Sequence, residues 1–268
     1  MTHENIIPVY TLDTIDLDFN GSSIDAVLHI GSPSAQDCSD FMVHQCLQQA
    51  TELVSFISNH NIPKLIFFST IHVYGDNPQL ILKEDAHPYP DSNYGLLKLN
   101  LENFFSIASA KHSFNFTALR LSNIIAPPYA QFSNWHLVFH DFLYSCFSRR
   151  SIIINSNPLL SRDFVVIDFL LSYLGKILAS PPENHFVINL TSGKSLTLMD
   201  LACTIRDRYC LMSQLPISSI DIICATKSVK LPVRRYDNSQ LNGLYGATPN
   251  NIKKQIDMSF RYLSSMGS

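Results

Sequence analysis

The sequence predicts an α/β fold with a mostly parallel sheet, on three observations. Short apolar runs without alternation, such as Leu65-Ile66-Phe67-Phe68, read as strands covered on both faces, which is how strands of a parallel sheet are buried. Between such runs lie helical periodicities: Val43, Leu47, Ala50, Val54 and Ile57 give residues 36–59 one apolar face. Third, 268 residues with 46% hydrophobic content can bury a substantial core, as one large domain or two interleaved lobes.

Composition excludes several function classes. The net charge is −3 and the basic residues are scattered, so the chain lacks the electrostatic footprint of a nucleic-acid binder. Six cysteines form no C-x-x-C pair and no regular framework, which reads as reduced thiols and a cytoplasmic location. The opening MTHENIIPVY has neither the basic region nor the apolar run of a signal peptide. The most apolar window, residues 164–179, is interrupted by Asp168 and Lys176 and reads as a core strand and helix, not a membrane span.

In chain order, residues 6–10 suggest a short strand and 11–23 a polar connection. Residues 24–31 form a strand ending in small residues, 36–59 a helix, and 65–68 a buried strand that ends on Ser69 and Thr70. A helix begins near Ser92, residues 115–123 give another strand, 133–148 a helix and 151–155 a strand. Residues 186–190 are a strand, 191–202 run through a turn into a helix, and 249–263 form a terminal helix. His136 and His140 have the i, i+4 spacing of a helical zinc pair, but no third ligand follows, so they read as half-buried helix residues and no metal is expected.

The chemistry concentrates between Ser69 and Lys98. In open α/β sheets ligands bind beyond the carboxyl ends of the strands, which is where Thr70 falls. Tyr94 and Lys98, one helical turn apart, share a face, and an ammonium beside a phenol favours phenolate and lowers its pKa toward the working pH. Such a phenol is a serviceable proton acceptor.

A Tyr-x-x-x-Lys pair is common by chance, but here it follows an apolar strand, Ser69-Thr70 and Val73-Tyr74-Gly75, with Thr70 preceding Tyr94 by 24 residues. In this order and spacing the chain resembles the extended short-chain dehydrogenase/reductase family, the NAD-dependent epimerases and dehydratases of nucleotide sugars. Further stretches carry the likeness: residues 24–31, the strand NFTALRLSN with Arg120, Asn123 and Pro127-Pro128, the octet Ser161-Arg162-Asp163-Phe164-Val165-Val166-Ile167-Asp168, the turn from Thr191 to Ala202, and Arg234-Arg235-Tyr236-Asp237-Asn238-Ser239.

The resemblance implies a Rossmann-like sheet with a small α+β substrate-binding lobe. It divides the chain into a Rossmann-like domain over 1–125, to which 163–192 contribute a strand and helix, and a substrate lobe with C-terminal helices over 126–162 and 193–268. It implies Thr70, Tyr94 and Lys98 as catalytic residues and NAD as cofactor, with His29, Gly31, Ser32, Ser69, Tyr94 and Lys98 around it. A nucleoside diphosphate sugar is the implied ligand, its diphosphate held by Asn123, Arg162 and either Arg234 or Arg235, because a guanidinium fork meets phosphate oxygens bidentately. Cys46 stands where the family usually has an asparagine. Family dehydratases place Asp-Glu after the threonine, whereas this chain has Ile71-His72, so epimerase or keto-reductase chemistry is favoured.

Only 23 residues precede Ile24 and the first glycine is Gly21, so the family's opening strand and glycine-rich turn, which cradle the pyrophosphate, have no counterpart. The expectation is a sheet truncated at its N-terminal end and NAD binding that is weak or absent if the chain is complete as given. A mis-started reading frame, one half of a split protein, and a shortened member keeping only a sugar-nucleotide or accessory role all remain open. A homodimer or a partner supplying the missing strands would then complete the sheet.

Overall fold

In a computed structural model of the chain, residues 24–31, 33–35, 37–128, 137–182 and 185–266 are described. The strand and connection expected over 6–23, Ser32, and His136 lie outside them. The fold is α/β and mostly parallel, as the sequence predicts. It divides into two compact units: the first comprises residues up to Asn77, Pro88–Leu119 and Ser180–Val187, the second Pro78–His87, Arg120–Ala179 and residues from Ile188 onward.

The four-stranded sheet has the order β1 (Val27–His29), β2 (Lys64–Thr70), β4 (Asn115–Leu121), β8 (His185–Leu190), with β1 parallel to β2 in the register Leu28 to Ile66. The boundary between the units falls inside β4, after Leu119, and inside β8, after Val187. Its interior position explains why β2 is buried from Leu65 to Thr70 with no polar alternation.

Two helices complete the first unit. Helix α1 (Asp40–Asn59) starts at Ser39, whose hydroxyl accepts the Met42 N–H, and buries Ala50, Leu53, Val54 and Ile57. Helix α2 (Asn93–His112) starts where the sequence places it, with Ser92 capping the Gly95 N–H at 3.2 Å. Leu97, Leu101, Phe105 and Ala108, at helical spacing, pack into one core with Leu65, Phe67, Phe116 and the α1 residues. Each such large side chain contributes roughly 1.5–3 kcal/mol by burial.

In the second unit the strand expected over 115–123 proves to be two. Past β4, Ser122 donates its N–H to Leu190 O, and β5 (Asn123–Ile125) joins a different sheet, of order β5-β7-β9. There β7 (Ser161–Val166) runs parallel to β5 and antiparallel to β9 (Ser195–Thr197). Parallel pairs of β6 (Ser151–Ile154) with β10 (Asp221–Cys224) and of β3 (Ile81–Leu82) with β11 (Arg235–Tyr236) complete the strands. Helices α3 (Val138–Arg149), α4 (Ile167–Ala179), α5 (Leu198–Ser213), α6 (Ser239–Tyr245) and α7 (Ile252–Met266) follow in order. Helix α5 opens on a reciprocal capping box between Thr197 and Asp200. Among the described residues no helix is long and apolar enough to cross a membrane.

Candidate active site

β2 ends at Thr70, and the chain turns immediately into a 3-10 turn over Ile71–Tyr74, capped by the Thr70 hydroxyl, which accepts the His72 N–H at 3.3 Å. The first turn of α2 lies against that turn. A Cβ on Gly95 would stand 2.6 Å from His72 O, so only glycine allows the approach. At this contact the Thr70 hydroxyl acts on the Tyr94 phenol, and the His72 ring lies edge-on to Tyr94 with centroids 5.7 Å apart. One turn along α2, Lys98 is 2% exposed, donates to Phe68 O at 2.6 Å, and stands 5.8 Å from the Tyr94 ring centroid.

The structure thus brings together Thr70, Tyr94 and Lys98, but corrects their expected electrostatics. Burial pushes the Tyr94 phenol above its ordinary value, and the Thr70 hydroxyl offsets this only in part. Burial also pulls Lys98 down to about 8, against the fields of Cys46, Glu102 and Cys38. The direction of the Tyr94 shift is set by its burial, since removing a phenol from water disfavours the phenolate.

The expected cofactor neighbours fare differently. His29 closes β1, stacked on Phe67 at 5.4 Å and edge-on to Phe105 at 5.6 Å. Burial and then the Lys98 charge pull it down to about 4, and its buried Nδ1 has no hydrogen-bond partner. Two residues on, a Cβ at Gly31 would meet nothing within 4 Å. The end of β1 thus offers an unpartnered buried ring nitrogen at His29 and an unobstructed backbone at Gly31. Ser69 is 2% exposed, and its hydroxyl donates to the buried carboxylate of Glu102. Glu102 was not anticipated. Its signal is one more i, i+4 step, Tyr-x-x-x-Lys-x-x-x-Glu, which puts Tyr94, Lys98 and Glu102 along one side of α2.

The expected diphosphate residues all belong to the second unit. Asn123 donates its amide to Asp163 O at 2.8 Å, closing the β5–β7 pair. Fully buried Asp163 accepts the Ser192 N–H at 2.9 Å and its hydroxyl at 2.7 Å. Burial lowers the half-buried Arg162 from its ordinary value, and Tyr236 opposes that shift. Ser195 Oγ donates to Arg234 O at 2.6 Å, while Arg235 is exposed and pairs with Ile81. Arg120 is structural, buried and donating to Glu84 O at 3.2 Å. His140 Nε2 lies 3.0 Å from Ala126 O, and among the described residues no group of three or more His, Cys, Asp or Glu side chains could hold a metal. A surface depression of about 340 Å³, lined by Lys83, Glu84, Asp85, Asp237, Ser239 and Gln240, contains none of the expected residues.

The model of the NAD dependent epimerase/dehydratase family matches residues 5–188. The chain belongs to that family. A UDP-glucose 4-epimerase from Halalkalibacterium halodurans is 27% identical over 132 residues, 45% of this chain and 36% of that protein, so the match spans about a third of that relative's length. An ADP-L-glycero-D-manno-heptose-6-epimerase from Brachyspira hyodysenteriae is 19% identical over 243 residues, 89% of this chain and 74% of that one. Among solved structures, RMD from Pseudomonas aeruginosa, complexed with NADPH, aligns over 93% of this chain and 84% of its own with a TM-score of 0.77 and 18% identity. UDP-glucuronic acid 4-epimerase from Bacillus cereus, in complex with NAD, aligns over 91% and 76% with a TM-score of 0.74 and 19% identity. At these identities the likeness establishes a Rossmann-like epimerase/dehydratase fold.

Proposed function

We propose that this epimerase/dehydratase family member acts on a nucleoside diphosphate sugar, as an NAD-dependent epimerase or keto-reductase. The observation that carries the reading is the Tyr94 phenol set beside the Thr70 hydroxyl where β2 ends, with Lys98 one turn along α2. NAD, when bound, supplies the hydride chemistry. Tyr94 exchanges the proton of the reacting sugar hydroxyl, and Thr70 hydrogen-bonds the same oxygen. Burial keeps the phenol protonated in the free protein, so Tyr94 is poised to deliver a proton to a ketone oxygen, the reductive half of either reaction. Lys98 and His29 are the candidates to hold the ribose end of the cofactor. Gly31 and Ser69 would lie nearby, Ser69 as support through Glu102.

In the second unit Arg162 and Arg234 are the proposed diphosphate ligands. Tyr236 acts electrostatically on Arg162, and Arg234, two residues from Tyr236, projects to the same side of the extended chain, whereas Arg235 projects to the other. This favours Arg234 over Arg235. Asn123, already committed to Asp163 O, supports β7 beside Arg162.

The test is turnover of UDP-, GDP- and dTDP-sugars by the full chain with added NAD, together with NADH binding by fluorescence. Conversion that falls about 10²–10⁴-fold in Tyr94→Phe, with the melting temperature unchanged, supports the reading. A chain that neither binds NADH nor converts any of these sugars overturns it. Stabilisation by a sugar nucleotide without NADH binding would instead indicate a non-catalytic binding protein.

A further inference from the structure

Glu102 is 3% exposed, on the α2 face that carries Tyr94 and Lys98, and it accepts a hydrogen bond from Ser69, the residue before Thr70. A carboxylate placed so deeply costs several kcal/mol unless it is paired and hydrogen-bonded, so it calls for a reason. Two are visible. Through Ser69 it ties the middle of α2 to the last residues of β2, and that tie fixes the register that sets Tyr94 opposite Thr70. It also lies one turn from Lys98, whose Nζ has Phe68 O as a neutral acceptor at 2.6 Å and the Phe67 ring 4.8 Å away. Neither neighbour carries a full negative charge.

We propose that Glu102 is a positioning residue for the Tyr94–Lys98 pair: its carboxylate holds α2 in register through Ser69 and keeps the buried Lys98 in its ammonium form. The role in catalysis rests on the reading of Tyr94 and Lys98 given above, whereas the effect on the lysine charge does not. The other ionisable groups facing Lys98 cannot replace Glu102. From β1 comes His29, which is held neutral; from the start of α1 and its second turn come Cys38 and Cys46, whose thiols burial pushes up; from α2 comes Tyr94, also pushed up. Near neutral pH all four are uncharged, which leaves the Glu102 carboxylate as the negative group acting on Lys98.

The experiment is an NMR titration of the full chain carrying ¹³C at the lysine ε position, with Lys98→Arg assigning the Lys98 signal and no dinucleotide present. Glu102→Gln, which keeps shape and hydrogen-bonding capacity but removes the charge, is expected to lower the Lys98 midpoint by roughly one pH unit, a tenfold loss of ammonium above the midpoint. Glu102→Asp, which keeps the charge but withdraws it, is expected to lower it by less. A folded Gln variant whose lysine titrates with the wild type overturns the proposal. Should the Gln variant not fold, an Asp variant titrating at or above wild type overturns it instead. Because the midpoint is read without cofactor or turnover, a chain that never binds NADH still decides the question.

Discussion

Three polar side chains buried in the first unit differ from two in the second in what they are partnered with. In the first, His29, Tyr94 and Lys98 are desolvated with sparse partners: an orphaned Nδ1, one threonine hydroxyl, one carbonyl. All three shift toward their uncharged forms. In the second, Asp163 and Asn189 are equally buried but richly bonded. Asn189 donates its backbone N–H to Glu84 Oε1 at 2.9 Å and its side-chain amide to Leu82 O and Asp237 O, both at 3.1 Å. Asp163 and Asn189 thus use their buried polar groups to tie backbone segments together, whereas His29, Tyr94 and Lys98 are buried with few partners.

The largest effect that could break this contrast is in the second unit. Asn189→Ala removes two buried hydrogen bonds and leaves Asp237 O short of a donor, while the Asp237 N–H still serves Leu82 O. The expected loss is about 2–4 kcal/mol in denaturant unfolding. A loss under about 0.5 kcal/mol would show that the network is not structural.

The first unit predicts a pH effect instead. His29 titrates at about 4 in the folded chain against 6.5 ordinarily, so between these values the unfolded chain binds a proton that the folded chain refuses. Stability is therefore intact above pH 6.5 and falls as pH drops toward 4, by up to about 3 kcal/mol, then levels off for this group. His29→Phe, which can keep the stack on Phe67, should lose that part of the acid slope. Parallel stability curves for the two proteins between pH 4 and 6.5 would mean that His29 is solvated after all.

Much of this arrangement was legible in the sequence, and the misses have physical causes. The α2 start was readable because Ser92 is a chemical signal for a cap, and the β2 run because burial on both faces leaves no alternation. Residues 151–155 read as a strand, matching β6, but its partner β10 and the pair β3–β11 went unread because strands of two to four residues carry no period. The sequence run across Ser122 looked continuous because changing sheets costs no change in residue type. Spacing placed Lys98 beside Tyr94 but could not show how deeply the phenol is buried, and burial sets the direction of its shift. Glu102 was missed because a lone glutamate on a helix is usually solvated; only the fold shows it beneath Ser69.

The smallest expected effect sharpens the contrast with two glycines, both in helices. Alanine is normally worth up to about 1 kcal/mol over glycine inside a helix. At Gly175, in α4, a Cβ would meet nothing within 4 Å, so Gly175→Ala should stabilise the chain by about 0.5–1 kcal/mol. At Gly95 the same methyl would stand 2.6 Å from His72 O and 3.2 Å from Pro90 Cβ, and a backbone carbonyl inside the capped turn cannot swing aside. The helix must then move off the turn, at a cost of roughly 1–3 kcal/mol that outweighs the propensity gain. Gly95→Ala should lower the melting temperature while Gly175→Ala raises it. Because the displaced segment carries Tyr94 away from Thr70, the Gly95 variant should also lose turnover out of proportion to its stability. Equal stabilisation of both variants would mean that the Thr70–Tyr94 contact does not depend on the close packing of α2 on the turn.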